Sequence, residues 1–234
     1  MTHAELTAAG YDVDAATYAR LQRFVALLLE ENRRLNLTSL RDEPDVWRAH
    51  VCDSLALVPL VRERRPRRLL DLGTGGGLPG VPLACVCRDL HVTLLDATRK
   101  KLAAVERIVA GVGLSNVEFA WGRAETLARQ TQFRERYEAV TARAVAELRV
   151  LIECTSGFVR PHGAAWFFKT PKACVAEVPG AEQAARTCHM AYAGAHSYRL
   201  PGEKTDRVIA TYQKLAPLPA DLPRPPGRAR KRPL

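Results

Sequence analysis

The sequence lacks long hydrophobic runs. Its longest unbroken apolar run extends from Phe24 to Leu29, whereas a membrane-spanning helix needs about 20 apolar residues in succession. The first ten residues, MTHAELTAAG, also lack the basic patch and apolar core of a secretory signal. We therefore expect a cytoplasmic protein that does not act in a membrane.

Cysteine is sparse, with six residues among 234. Cys85 and Cys87 are separated by one residue, which differs from the two-residue spacing typical of zinc sites. A long chain without an export signal gives little reason to infer a disulfide framework. We expect free thiols that mostly fill the core, and no metal cofactor.

Acidic residues are nearly absent from two short basic segments. The chain has a formal net charge of +10; residues 62–68 (RERRPRR) hold five Arg and one Glu, and the tail 224–234 (RPPGRARKRPL) holds five basic residues and no acid. Such blocks attract polyanions through counterion release, although a solvated basic surface is the alternative. We favour a nucleic-acid partner, and expect the tail to bind RNA and not a cofactor. A membrane surface is disfavoured because the tail is proline-rich.

Apolar periodicity predicts the organisation of the chain. Helices are predicted over 14–34, with Asp14 as N-cap, and over 43–61. From Arg68 onward, short apolar runs alternate with helical stretches, which indicates an α/β fold with a mostly parallel, doubly wound sheet. The predicted strands are 68–72, 91–96, 116–121, 137–142 and 163–169, with helices over 80–88, 98–114 and 147–158, and a closing pair of strands over 191–201 and 207–215 ends the sheet in an antiparallel strand.

Three parts are expected from this pattern. Residues 1–64 form an N-terminal helical extension, and residues 65–216 form the α/β domain. Residues 217–234 form a Pro/Arg-rich tail that we expect to lack regular structure.

A glycine-rich loop follows the first predicted strand, in the stretch LLDLGTGGGLPG (69–80). Its spacing is G-x-G-x-G, but Leu78 stands where a dinucleotide fingerprint needs glycine or alanine, and the phosphate-loop motif is absent. Asp71 ends the first strand, where a carboxylate suits an ammonium group. Asp96 ends the second strand, where it suits the two hydroxyls of a ribose. This ordered set favours S-adenosyl-L-methionine (AdoMet) over NAD.

The ordered motifs resemble those of the bacterial small-subunit ribosomal RNA guanine-N7 methyltransferases, the glucose-inhibited division protein B family. The resemblance runs from about Leu27 to Lys214. It implies a Rossmann-like AdoMet-dependent fold and methyl transfer to N7 of guanine 527, in helix 18 of 16S rRNA. The motifs are NLT (36–38), HVCDSL (50–55), DLGTGGGLPG (71–80), LLDATRKK (94–101), GRAE (122–125), VTARAV (140–145) and FFK (167–169).

The resemblance implies a set of cofactor-binding residues. They are Gly73, Leu78, Asp96, Ala97, Thr98, Ala124, Glu125 and Arg143. Asp96 would hold the ribose, and Ala124 and Glu125 would lie at the adenine. Two alternatives remain open: Thr98 as the N-cap of the next helix, and Glu125 as a solvated acid at a helix start.

Arg143 follows the fourth strand and is the residue most strongly expected to carry function. It could hold the AdoMet carboxylate, grip an RNA phosphate or bond guanine O6; an ion pair with an acid such as Glu147 is the alternative. His50 and Asp53 are three residues apart and share a helix face. With Asn36 they are expected at the target pocket or between the extension and the α/β domain. A serine-hydrolase reading fails because no G-x-S-x-G motif exists.

Three lysines are candidates for RNA phosphate contact: Lys100, Lys101 and Lys169. Ordinary solvated charge is the alternative for each. Two further functions stay open from the residues alone, an AdoMet methyltransferase on another acceptor and a non-catalytic RNA-binding assembly protein. We expect a monomer whose partner is the small ribosomal subunit.

Overall fold

The computed structural model describes residues 1–143 and 146–234. Within them, seven strands form one sheet in the order β3-β2-β1-β4-β5-β7-β6, and β7 runs antiparallel to both of its neighbours while β1 to β5 are mutually parallel. The predicted fold class is confirmed. The strands are β1 (Arg68–Leu72), β2 (His91–Asp96), β3 (Val117–Trp121), β4 (Tyr137–Arg143), β5 (Val159–Lys169), β6 (Met190–Arg199) and β7 (Asp206–Lys214).

Helices cover both faces of this sheet. Five of them, α1, α8, α10, α11 and α12, lie outside the helical segments that the sequence predicted. In chain order the helices are α1 (His3–Ala8), α2 (Ala15–Asn32), α3 (Glu43–Val46), a π-helical segment (Trp47–Cys52), α4 (Asp53–Leu55), α5 (Val58–Arg64), α6 (Gly80–Val86), α7 (Arg99–Val112), α8 (Ala124–Leu127), α9 (Leu148–Ser156), α10 (Pro171–Gly180), α11 (Glu182–Thr187) and α12 (Arg228–Lys231).

The N-terminal helices pack on one face of the sheet together with α6 and α7. Asp14 caps α2 as predicted, since its side chain accepts a hydrogen bond from the Thr17 amide at 2.6 Å. Apolar residues at helical spacing, such as Leu21 and Leu28, are fully buried and contribute about 1.5–3 kcal/mol each. Between α2 and α7, Arg107 donates two hydrogen bonds to the Glu31 carboxylate, at 2.9 and 2.6 Å. The extension is thereby fixed against the sheet.

The predicted continuous helix over 43–61 is broken in the structure. The π-helical segment lies in its middle, and α5 begins separately at Val58, with Pro59 in its first turn. Proline has no amide hydrogen and starts a helix more readily than it continues one. The Ser54 hydroxyl also donates to the His50 carbonyl at 2.6 Å, and such side-chain bonds compete with the helix ladder. Wide π turns occur often at functional sites.

The C-terminal tail packs on the opposite face, beside α8 and α9. Its buried Leu218 and Leu222 join the core on that side, and Arg134 donates to the carbonyl groups of Leu218, Pro219 and Leu222 at 2.9–3.0 Å. The expectation that the tail lacks regular structure is wrong for α12 and holds for most of the rest. The tail takes a defined path because Arg134 and the apolar core provide contacts that its Pro/Arg-rich sequence cannot form by itself.

The structure bears on the cysteines, on membrane-spanning helices and on metal-binding groups. All six cysteines are free thiols, as predicted. In the described part of the chain, no helix combines the length and the apolar character needed to cross a bilayer. The same residues contain no group of three or more His, Cys, Asp or Glu arranged to hold a metal ion.

Candidate functional site

The glycine-rich loop leaves the carboxyl end of β1 in a backbone conformation that only glycine adopts readily. Gly73, Gly75 and Gly77 have φ angles of 74°, 56° and 85°, which cost an ordinary L-residue about 1–2 kcal/mol each. The amides of Gly73 and Thr74 both donate to the Leu95 carbonyl, at 2.8 and 3.0 Å. The loop is therefore tied to the end of β2, and the half-buried Gly73 lies where ligands bind at the edge of such sheets.

Asp71 supports this loop from below. Its Oδ2 accepts from the Thr74 hydroxyl at 2.7 Å and from the Gly80 amide at 2.9 Å. A Cβ on Gly80 would lie 2.3 Å from Leu94 Cδ2 and 2.9 Å from Asp71 Oδ2, so a larger residue would force these buried side chains to move. Asp71 is fully buried, and this burial raises the pKa of its carboxyl to about 6. The residue braces the loop, in contrast to the expectation that it faces an ammonium group directly.

Asp96 joins the loop to the start of α7. Its Oδ2 accepts from the Gly75 amide at 3.0 Å, and its Oδ1 accepts from the Thr98 amide at 2.7 Å. Each carboxylate oxygen can accept a second hydrogen bond, which leaves capacity for two ribose hydroxyls. Thr98 occupies the N-cap position of α7, but its side chain makes no capping hydrogen bond. Ala97 and Thr98 are both exposed.

A cleft of about 640 Å³, its open mouth included, begins at this acid. Gly73, Asp96, Ala97, Ala124 and Glu125 contribute to its wall, together with Leu72, Leu95, Gly122, Arg123, Ala146, Val150, Leu151, Cys154 and Arg230. Leu78 lies elsewhere, buried in the core on the side of the N-terminal helices. The lining of the cleft offers a glycine backbone and two carboxylates, the kind of polar groups that a nucleoside with a short polar extension can contact.

Glu125 is buried at the start of α8, and its Oε1 accepts a hydrogen bond from the Gly227 amide at 2.9 Å. The alternative of a solvated acid is therefore wrong. Its second oxygen keeps acceptor capacity for an exocyclic amine. The glycine backbone, the Asp96 carboxylate and this glutamate together fit AdoMet.

Arg143 ends β4 beside a second, larger cavity. Its Nη1 donates to Asp53 Oδ2 at 2.8 Å and to the Ala49 carbonyl at 3.3 Å, and its Nη2 lies 3.3 Å from His50 Nδ1. His50 and Asp53, which the sequence grouped with Asn36, thus meet Arg143 at one point. The ion pair that the sequence left open forms with Asp53, whereas Glu147 pairs with Arg149. Ala144 and Val145, which complete the VTARAV motif, lie outside the described residues.

Asp53 is the centre of this arrangement. Besides Arg143, its carboxylate accepts from the Tyr198 hydroxyl at 2.6 Å and from Arg207 Nη1 at 3.3 Å. Burial and the Asp53 charge raise the pKa of Tyr198 above its ordinary value, so that the phenol stays protonated and donates. Asp53 itself is 3% exposed, and a buried carboxylate of this kind is stable only when paired. Sequence reasoning missed Tyr198 and Arg207.

His50 lies in the π-helical segment, against Thr38 of the NLT motif. Its Nε2 is 2.6 Å from Thr38 Oγ1. Burial, and secondarily the positive charge of Arg143, lower its pKa to about 4. The imidazole is therefore neutral at pH 7, and Arg143 and Arg207 supply the positive charge of the cluster.

The remaining predicted residues divide between this cavity and the surface. Lys169 lines the cavity and is no solvated charge, since its Nζ donates to Glu177 Oε2 at 2.7 Å and to the Ala146 carbonyl at 2.8 Å. Lys100 is exposed near the start of α7, and Lys101 follows it half-buried. Asn36 is exposed and accepts from Arg41 at 3.0 Å.

Asn32, four residues before Asn36, holds the backbone of the NLT motif in place. Its side-chain oxygen accepts from the amides of Leu37 and Thr38 at 2.9 and 3.0 Å. These bonds fix the turn that brings Thr38 to His50. Asn32 carries no separate signal in the sequence because it lies within the predicted helix over 14–34 as an ordinary polar residue.

Solved structures with the same fold include two methyltransferases. An O-methyltransferase from Bacillus cereus, described in complex with SAH, has a TM-score of 0.58 at 17% identity, covering 90% of this chain and 96% of that one. A putative O-methyltransferase from Klebsiella pneumoniae has a TM-score of 0.58 at 15% identity, covering 91% and 95%. The sheet order and the glycine loop after β1 define the Rossmann-like fold that these proteins share.

The family follows from sequence comparison. The sequence model of GidB, described as rRNA small subunit methyltransferase G, matches residues 17–204. A ribosomal RNA small subunit methyltransferase G from Carboxydothermus hydrogenoformans is 37% identical, over 96% of this chain and 95% of the relative. One from Sorangium cellulosum is 46% identical, over 72% and 70%. This chain belongs to the GidB family of rRNA small subunit methyltransferases, as its motifs predicted.

Proposed function

We propose that the protein transfers a methyl group from AdoMet to N7 of guanine 527 in helix 18 of 16S rRNA. One observation carries this proposal beyond family membership. The cleft that begins at Asp96 is here the cofactor cleft, and the larger cavity beside Arg143 is the acceptor cavity. Both open at the same carboxyl edge of the sheet, after β1 and β2 on one side and after β4 and β5 on the other. Arg143 ends the strand paired with β1, so it stands next to the glycine loop.

On the cofactor side, the role of the chain is to hold AdoMet in position. The glycine loop and Asp96 would hold the amino-acid and ribose portions, and Ala124 and Glu125 would hold the adenine. When bound, AdoMet supplies a methyl group on a positively charged sulfur, which is already electrophilic. The chain therefore has to orient the ligand and exclude water more than it has to activate it.

On the acceptor side, no general base is needed because guanine N7 carries a free lone pair. Neutral His50 agrees with this, since its lowered pKa makes it a poor proton acceptor at pH 7. Arg143 has the donors to hold guanine O6 or an adjacent phosphate while N7 stays free. Its ion pair with Asp53 fixes the guanidinium, so the orientation of the base does not depend on a mobile side chain.

The acceptor cavity also fits an RNA strand by size and charge. Lys172, Arg207 and Arg143 line it alongside Phe168, and its volume is about 1,670 Å³, open mouth included. A guanine that has left its stack can enter such a space, with basic side chains at its phosphates. We propose that the enzyme acts as a monomer in the cytoplasm on the small ribosomal subunit or its rRNA.

Methyl transfer from labelled AdoMet tests the proposal directly. The substrates are naked 16S rRNA and small subunits from cells that lack the modification, and the modified nucleotide is mapped afterwards. One 7-methylguanosine at position 527 is the expected result. Label at another nucleotide, or in a protein, would overturn the assignment of the acceptor.

A further inference from the structure

The C-terminal tail reaches the cofactor cleft. Arg230 lines that cleft together with Asp96, Ala97 and Glu125. The tail lies beyond residues 17–204, which the family model matches, and its basic composition suggested an RNA-binding arm. Its position in the fold indicates a different role.

A buried ion pair anchors the tail beside the cleft. Glu153 of α9 is fully buried. It accepts from the Arg224 backbone amide at 2.9 Å, from Arg224 Nε at 2.8 Å and from Arg224 Nη2 at 2.5 Å. Because an unpaired carboxylate at this position would be costly, the tail stays attached while Arg224 is present.

A second contact joins the tail to a residue of the cleft itself. Gly227 has a φ of 79° and donates its amide to Glu125 Oε1 at 2.9 Å. The chain then turns into α12, where Ala229 is 2% exposed and packs against the protein. The Gly227–Glu125 hydrogen bond and the buried Ala229 together determine where Arg230, the residue after Ala229, can lie.

The charge of Arg230 acts at the cleft wall. Burial raises the pKa of the Cys154 thiol to about 12, and the positive charges of Arg230 and Arg123 oppose that rise. Cys154 and Arg230 both line the cleft, at the end formed by Ala97, Ala124 and Glu125. A planar guanidinium at this end can stack on a purine ring or donate to it.

We propose that the tail completes the cofactor site, with Arg230 contacting the adenosine portion of AdoMet. The inference rests on the proposed function, because it takes this end of the cleft as the adenosine end. The segment 224–231 is then a wall of the cofactor site, and binding of the product S-adenosylhomocysteine depends on it.

Calorimetric titration with S-adenosylhomocysteine tests this assignment in the full-length protein. Arg230→Ala is expected to raise the dissociation constant about threefold to tenfold, the loss expected for one guanidinium contact with an aromatic ring. Arg228→Ala is the matched control, since it removes the same charge from the same short helix without touching the cleft lining. The control is expected to bind S-adenosylhomocysteine as the wild type does.

A truncated chain that ends at Pro225 provides the second variant. It keeps the Arg224–Glu153 anchor and loses both Gly227 and Arg230. S-adenosylhomocysteine affinity is expected to fall at least as far as in Arg230→Ala. Wild-type affinity in both variants, with reduced affinity for 16S rRNA, would overturn the inference and make the tail an RNA-binding segment. Failure of the wild type to bind S-adenosylhomocysteine would instead contradict the proposed function.

Discussion

The cofactor cleft and the acceptor cavity share one edge of the sheet but are built in different ways. The core of the cleft comes from short segments that each follow a strand, such as the loop at Gly73 and the acid at Asp96, and backbone amides hold them. In the acceptor cavity, side chains from four distant segments meet at one buried carboxylate. Local backbone geometry therefore defines the first region, whereas tertiary packing defines the second.

The largest expected effect comes from removing the carboxylate charge that unites the acceptor cavity. Asp53→Asn leaves Arg143 and Arg207 without their shared anion, so we expect a loss of about 3 kcal/mol in the free energy of unfolding. Methyl transfer should fall about 100-fold because Arg143 loses its fixed orientation. Binding of S-adenosylhomocysteine should stay within about twofold of wild type, since the cleft is built separately.

Asp45→Asn is the control for this substitution. Asp45 pairs with Arg48 at 2.7 Å, and both side chains are more than 40% exposed, so its removal should cost less than about 1 kcal/mol. Equal losses of activity in the two variants would contradict the role given to Asp53.

The next prediction is that His50 in the acceptor cavity makes the folded protein less stable in acid. The pKa of His50 is about 4 in the folded protein and near 6.5 in the unfolded chain. Below pH 6.5 the unfolded chain gains a proton that the folded protein does not, so stability is lost as the pH falls toward 4. His50 alone should account for about 3 kcal/mol of that loss. Denaturant unfolding across this range should show a flatter profile for His50→Gln.

The exposed His91 offers the matched control. His91→Gln should leave the slope of stability against pH as in the wild type. If His50→Gln and His91→Gln have the same profile, the buried environment assigned to His50 is wrong.

A smaller effect is expected in the cofactor cleft. Gly73→Ala places a Cβ on a residue with a φ of 74°, at a cost of about 1 kcal/mol, and Gly73 lines the cleft. Gly113→Ala has the same kind of strain, with a φ of 77° and no atom within 4 Å of the added Cβ, at the end of α7. Both variants should unfold at similar denaturant concentrations.

Only Gly73→Ala should weaken S-adenosylhomocysteine binding in calorimetry, by about tenfold. Retained affinity in this variant would show that the loop backbone does not approach the ligand.

The cofactor side was largely predictable from the sequence because its signals are local. The bounds of β1 and β2 agree with their predicted runs, and the loop glycines directly follow β1. His50 and Asp53 were predictable as a pair because they are three residues apart. What remained open was which cation they hold, since that depends on how the extension packs against β4.

Tyr198 and Arg207 could not have been found in this way. They lie 145 and 154 residues from Asp53, and they reach it together only because β6 and β7 pair them directly. Lys169 and Glu177 show the same limit over a shorter distance, since their ion pair depends on the unpredicted helix α10. The position of the tail likewise depends on Glu153, an acid that sequence reasoning placed in an ordinary helix.

Single-turnover methyl transfer by Arg143→Ala tests the central claim most directly, with S-adenosylhomocysteine affinity measured on the same preparation. The fold should persist, because Asp53 keeps Tyr198 and Arg207 as partners. We predict that the rate of methyl transfer to 16S rRNA falls about 100-fold or more, while the dissociation constant of S-adenosylhomocysteine changes less than about twofold. An unchanged rate, or a loss of activity explained entirely by lost S-adenosylhomocysteine binding, would contradict the division of the site into a cofactor cleft and an Arg143-centred acceptor cavity.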